Sequence, residues 1–454
     1  MCNDSDPAPS AALHDLHDAL LPGTIHNALR TDFFRARWAG HDVDNVDRSL
    51  LATLPMIDKE EIRAAGSAAQ VRVGTVCNDV LTSGTTGNPL VTVRSEREQE
   101  FITDFFTRQL RRRPVERYMR GLQFTNPYHG HLISVPSSTH FHRVSVYDAG
   151  SFEYGRRTLL ESHDDQDVDP RCSVLSGLER CLRAFTADTI ARFPNGFDAT
   201  ALRLVVSTSQ YLTANWRARL ESTWHAAVVD RFSVSEIFGG AGQCLQCGWY
   251  HFDPHVVPEV VGATSGDLLS EGRGLLALTA LYPFQQAQPL VRYLTGDLVD
   301  VTHEASCRPG TTAIKPLGRA RYGVPEPGGD GWLVTPASVL EAVDESTEVL
   351  RIPRFVDVEQ VVDPYAIGHP KYRTLWQSRA SAVDVEIQVA LRGDVPARRI
   401  VEISSDLTKD VIDSNPNLRK AVRAGTASMS VKACEDVATN LIAQAHSGGV
   451  WSPA

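Results

Sequence analysis

A chain of 454 residues with 45 Lys and Arg against 55 Asp and Glu carries a net charge of −10, which excludes nucleic acid as its main partner, because phosphate neutralisation needs a concentrated basic surface. With 42% hydrophobic and 22% charged residues it lies well away from disordered chains, and its length suits one large domain plus a smaller one. Eight cysteines are too few for a disulfide scaffold, and no run approaches the roughly 18 apolar residues that cross a membrane.

The start, Met1-Cys2-Asn3-Asp4-Ser5-Asp6, is acidic with no apolar stretch behind it, so the expected compartment is the cytoplasm. Residues 1–50 are polar and helix-permissive. Val71–Val80 and Leu90–Val93 are apolar-rich, and they bracket Leu81-Thr82-Ser83-Gly84-Thr85-Thr86-Gly87-Asn88-Pro89. Four hydroxyls and two glycines in so short a space free backbone N–H and side-chain O–H groups to converge, as a polyphosphate requires; the same composition also makes a plain hairpin turn. Only Thr85 and Thr86 separate Gly84 from Gly87, which rules out the lysine-containing Walker loop. Phe101, Ile102, Phe105, Phe106 and Leu110 predict an amphipathic helix closed by Arg111-Arg112-Arg113 at the end its dipole favours. Leu175, Leu178, Leu182, Phe185 and Ile190 fall at helical spacing, Leu202–Val206 reads as strand, and Trp216–Trp224 as helix again. That alternation predicts an α/β domain of helices packed on β-sheets. Gly323–Gly331, rich in Pro and Gly, is the expected linker. Strand-like runs at Phe355–Val362 and Val383–Leu391 and a helical pattern at Glu435–Ala445 then predict a small α+β domain. The expected division is 1–320 and 321–454.

The hydroxyl loop resembles the phosphate-binding signature of the adenylate-forming superfamily, the acyl-CoA synthetases and their relatives. The absence of lysine after Pro89 is similar to the phenylacetate-CoA ligase branch. Further segments match that branch in order: Leu54-Pro55-Met56-Ile57-Asp58-Lys59-Glu60-Glu61-Ile62-Arg63 as its lead-in, Asp230-Arg231-Phe232-Ser233-Val234-Ser235-Glu236 as its aromatic-x-x-Ser/Thr-Glu motif, Pro289-Leu290-Val291-Arg292-Tyr293-Leu294-Thr295-Gly296-Asp297-Leu298, and Leu317-Gly318-Arg319 before the hinge.

The resemblance implies a large ATP- and acyl-binding domain that activates a small carboxylic acid, aryl or short acyl, as its adenylate. Transfer to CoA, a carrier thiol or an amine would follow, most plausibly in specialised biosynthesis. Thr82, Ser83, Thr85 and Thr86 would bond the β- and γ-phosphates, with Gly84 and Gly87 allowing close approach. Phe232 would stack on adenine beside Ser235 in the same motif, Glu236 would ligate Mg²⁺ as a hard oxygen donor, Asp297 would accept from the ribose hydroxyls, and Arg319 would reach ribose or phosphate. Ser207-Thr208-Ser209-Gln210 stands where relatives carry an adenine-binding turn. Histidines in Asn126-Pro127-Tyr128-His129-Gly130-His131 and His140-Phe141-His142 fall where relatives line the acyl pocket, or else they satisfy loop hydrogen bonds. Relatives are often homodimers.

A second constellation is independent of ATP. Cys244-x-x-Cys247-x-x-x-His251, with Cys307, supplies three thiols and an imidazole, enough for a closed structural Zn²⁺ site; the other reading is buried free cysteines beside an ordinary histidine. The pattern breaks in two places. The last lysine, Lys432, stands in Ser430-Val431-Lys432-Ala433-Cys434, which does not resemble the family's C-terminal Gly-Lys context, and Arg319-Ala320-Arg321 lacks the usual acidic hinge residue. A diverged nucleotide-binding or scaffold protein without turnover is therefore the alternative to an active ligase.

Overall fold

The computed structural model describes residues 9–43, 46–81, 90–111, 116–125, 137–146, 148–352, 367–379, 382–434 and 451–453. Helices α1 (Pro9–Ala28), α2 (Asp32–Arg37), α3 (Arg48–Leu51) and α4 (Lys59–Ala65) come first, followed by a ribbon of β1 (Cys77–Leu81) and β2 (Val91–Ser95) and the expected amphipathic helix, α5 (Glu96–Arg111). Asp58 starts α4 with a reciprocal capping box: its carboxylate accepts from the Glu61 N–H while the Glu61 carboxylate accepts from its own N–H, both at 2.9 Å.

An eleven-stranded sheet follows, built of two unlike halves. In the parallel half, β3 (Tyr118–Thr125), β4 (Thr139–Ser145), β5 (Val168–Leu178), β6 (Leu204–Thr208) and β7 (Ala227–Ser233) are linked through α6 (Ala149–Leu160), α7 (Glu179–Arg192) and α8 (Ala214–Trp224). Residues 172–177 of β5 are buried without a break, as helices on both faces of a parallel sheet demand. Leu175 and Leu178 therefore belong to β5, not to the helix; an unbroken apolar run fits either period, and the spacing alone merges strand with helix. Trp216, Leu220 and Trp224, four apart, bury one stripe of α8.

The antiparallel half contains β8 (Gly240–Gln243), β9 (Tyr250–Phe252), β10 (Val256–Val261), β11 (Glu271–Ala280), β12 (Tyr293–Thr302) and β13 (Ala313–Arg319), in spatial order β10-β11-β12-β13-β9-β8-β7. Strand β7 is the seam, parallel to β6 and antiparallel to β8. Leu21, Phe34, Ile57, Leu278 and Tyr293 represent the core that helices α1–α4 form on this half, while Leu122, Phe124, Phe185 and Trp224 represent a second core on the parallel half.

A third core takes its fully buried members only from Val324 to Val431. The expected linker is instead a hairpin of β14 (Val324–Pro325) and β15 (Trp332–Val334), its Pro/Gly-rich stretch being the turn. Next come α9 (Pro336–Glu345), β16 (Arg351–Ile352), β17 (His369–Pro370), and a four-stranded sheet of β18 (Tyr372–Ser378), β19 (Val383–Ala390), β20 (Ala427–Cys434) and β21 (Trp451–Pro453), with α10 (Ala397–Ser414) and α11 (Pro416–Arg423). The expected elements at Phe355–Val362 and Glu435–Ala445 lie outside the described residues. Helix α9 docks on α8: Glu341 accepts from the Tyr211 hydroxyl at 2.8 Å and the Ala214 N–H at 2.9 Å, and Asp344 accepts from the Thr213 hydroxyl at 2.6 Å. No described helix is long and apolar enough to cross a membrane.

Candidate active site

The carboxyl end of β7 opens into a cleft lined by Ser209, Gln210, Tyr211, Asp230, Phe232, Asp297 and Arg319. Crevices at the carboxyl ends of parallel strands are where α/β sheets place ligands, because the chain leaves the sheet there. Ser209 and Gln210 follow β6, and Ser209 has a φ of 82°, a left-handed conformation costing on the order of 1 kcal/mol in a non-glycine residue. Asp230 escaped the sequence reading although it opens the quoted motif. It accepts from the Tyr250 hydroxyl at 2.9 Å, and burial pushes its carboxyl up to about 6.

Asp297 and Arg319 meet through sheet register. They are cross-strand partners on β12 and β13, with a bulge after Asp297 and Gly296 at a φ of 76° re-aiming the carboxylate. Arg319 Nε lies 3.4 Å from Asp297 Oδ1, and the Arg319 guanidinium also donates to the Thr295 carbonyl. Oδ2 of Asp297 is buried with no hydrogen-bond partner among the described residues. Burial raises the Asp297 pKa, and Arg319 opposes that shift. An orphaned buried acceptor on a cleft wall suits a ligand hydroxyl.

Glu236, three residues past β7, is 8% exposed and accepts from the Tyr293 hydroxyl at 3.2 Å. Its charge acts on both Asp297 and Arg319. As an oxygen donor set beside the cleft it fits a hard divalent cation. Ser235 is exposed, and its carbonyl accepts from Arg94 at 3.4 Å. Sequence reasoning missed Lys59 as a site residue. The lead-in forms a bridge with β12, Ile57 opposite Tyr293, and this sets Lys59 Nζ 3.5 Å from Glu236 Oε1.

Thr82, Ser83, Gly84, Thr85, Thr86 and Gly87 lie outside the described residues, as do His129 and His131; the flanking ribbon pairs Leu81 with Val91. His140 and His142 do not join the cleft. They stand on edge strand β4 beside the amino end of β3, where His142 Nε2 is 2.9 Å from Arg120 Nη1 and its ring stacks on His163. Lys432 pairs with Glu386 on the neighbouring strand, its side chain 61% exposed.

Cys244, Cys247, His251 and Cys307 converge, all four ligand atoms within 4.8 Å of one another. The turn between β8 and β9 brings the first two together: the Gly248 N–H donates to the Cys244 carbonyl at 2.8 Å, with Gly248 at a φ of 73°. Cys307 arrives from the β12–β13 loop, 3.2 Å from Cys247 Sγ and 3.0 Å from His251 Nε2. Burial, with Arg308 adding to it, pushes His251 down to about 4, leaving the neutral imidazole that binds metals. A tetrahedral Zn²⁺ with sulfur at about 2.3 Å sets ligand atoms roughly 3.5–3.8 Å apart, close to these spacings.

No protein-family model matches the chain. Phenylacetate-coenzyme A ligase of Thermus thermophilus is 38% identical over 89 residues, a stretch that is 18% of this chain and 19% of that ligase. The crystal structure of 2-hydroxyisobutyryl-CoA ligase in the postadenylation state with R3-HIB-AMP matches with a TM-score of 0.61 at 14% identity, covering 95% of this chain and 88% of that one. The same ligase with 2-HIB-AMP and CoA in the thioesterification state gives 0.51 at 15% identity, over 98% and 91% of the two chains. The chain thus has the mixed α/β, two-domain fold of the adenylate-forming acyl-CoA ligases, and its local sequence likeness is to phenylacetate-CoA ligase.

Proposed function

We propose that the protein activates a small carboxylic acid, aryl or short acyl, with ATP. The acid's carboxylate attacks the α-phosphorus, pyrophosphate leaves, and the acyl-adenylate passes its acyl group to CoA, a carrier thiol or an amine. The observation that carries this reading is the meeting of Phe232, Asp297 and Arg319 in one cleft with Glu236 beside it. Phe232 stacks on adenine, the orphaned Asp297 oxygen takes a ribose hydroxyl, and Arg319 holds that carboxylate in place while facing the phosphates. Thr82 to Gly87 cradle the terminal phosphates. Mg²⁺ held at Glu236 supplies charge neutralisation. Lys59 brings an ammonium to the same carboxylate. Residues 1–320 form the ATP- and acyl-binding domain and 321–454 the smaller one, a division supported by the separate core beginning at Val324. Zn²⁺ at Cys244, Cys247, His251 and Cys307 has four protein ligands and so serves structure.

Acid-dependent pyrophosphate release from ATP, measured over a panel of aryl and short acyl acids with and without CoA, tests the reading. Wild type should respond to at least one acid, and Asp297→Ala should lose about 100-fold or more, as removal of a key polar contact does. The exposed ion pair that occupies Lys432 favours one second reading, a nucleotide-binding scaffold without turnover. ATP binding by folded protein with no acid response would establish that instead.

A further inference from the structure

Arg94 is a buried cation whose charge is offset by the nearby carboxylates of Glu98 and Glu236. It stands on β2, 4% exposed, and forms no ion pair within 4 Å among the described residues. Among the described residues its Nε and Nη1 have no hydrogen-bond partner. A buried guanidinium gives up its hydration, and an apolar side chain of similar size would pack there without that cost. The contacts it does make share one address. Nη2 donates to the Glu236 carbonyl at 2.5 Å and lies 3.4 Å from the Ser235 carbonyl, while the guanidinium carbon sits 4.2 Å from the centre of the Phe238 ring.

Those two carbonyls belong to the peptide units on either side of the Glu236 Cα. Each unit is planar, so holding both oxygens narrows the directions open to the Cα–Cβ bond. We propose that Arg94 is a positioning residue for the divalent cation: it aims the Glu236 carboxylate by pinning the peptides that flank it. It also ties that turn to β2. The inference rests on Glu236 being the cation ligand.

ATP affinity measured calorimetrically over a series of Mg²⁺ concentrations, with no acid present, reads cation binding without turnover. Arg94→Met should raise the Mg²⁺ needed for half-maximal enhancement of ATP binding by roughly tenfold or more, the usual cost of losing a group that orients a ligand. Arg94→Lys should fall between it and wild type, and ATP affinity in EDTA should not change. Equal losses with and without Mg²⁺ would mean the site has merely collapsed and would overturn the proposal. A shift in Glu236→Gln with none in Arg94→Met overturns the role of Arg94 alone; no shift in Glu236→Gln overturns the assignment of Glu236 and this proposal with it. Should Arg94→Met not fold, Arg94→Lys decides by the same comparison.

Discussion

Asp230 illustrates how a single side chain can set a pH response. Its ordinary value is 3.8 and burial lifts it to about 6, so between those pH values the unfolded chain releases the proton while the folded one retains it. The contribution of this group to stability is full below about pH 4, falls as pH rises toward 6, and is level above. Asp230→Asn should keep an acceptor for the Tyr250 hydroxyl and remove the titration, gaining roughly 2–3 kcal/mol at pH 7 but little at pH 4. Thermal melts at the two pH values check this; equal effects at both would contradict it. Glu236, Asp297 and Phe232 could be named as candidates because a motif marks each of them locally. Lys59 and Arg94 could not, because their contact with Glu236 is made by a bridge to β12 and by the placement of β2, neither of which has a local signature.

At the scale of elements, the Cys/His cluster joins the β8–β9 turn to the β12–β13 loop, and β12 and β13 carry Asp297 and Arg319. Cys247→Ser should lose bound zinc and melt at a lower temperature, since a structural metal contributes its binding energy to folding. Metal analysis beside differential scanning calorimetry measures both; retention of one equivalent of zinc would remove the metal reading. The spacing of Cys244, Cys247 and His251 is local and could be read directly, whereas Cys307 is recruited by the antiparallel pairing of β9 with β13. Strand β5 failed for the opposite reason. Buried on both faces, it loses the alternation that marks a strand, and its leucines join the helical spacing of α7.

For the whole molecule, the α/β class followed from the alternation of short and long apolar segments, but the hinge region did not, because Pro and Gly serve a hairpin turn as well as a linker. The contact of α9 and its neighbours with the larger sheet combines polar groups with the apolar Ile367, which joins the core of the parallel half. Burial works against the Asp344 carboxylate, yet Arg183 and Arg351 hold it down to about 2, so it is charged at neutral pH where it receives the Thr213 hydroxyl. Glu341→Ala should remove the bonds from Tyr211 and Ala214 and speed amide exchange at the start of α8 by about tenfold, with the core strands unchanged. Exchange mass spectrometry reads this directly, and unchanged protection would show that the carboxylate is dispensable. Tyr211 has one face on the cleft of Asp297 and Arg319 and its hydroxyl on α9. Any displacement of α9 from α8 would therefore strip the Tyr211 hydroxyl of its acceptor and loosen a wall of that cleft.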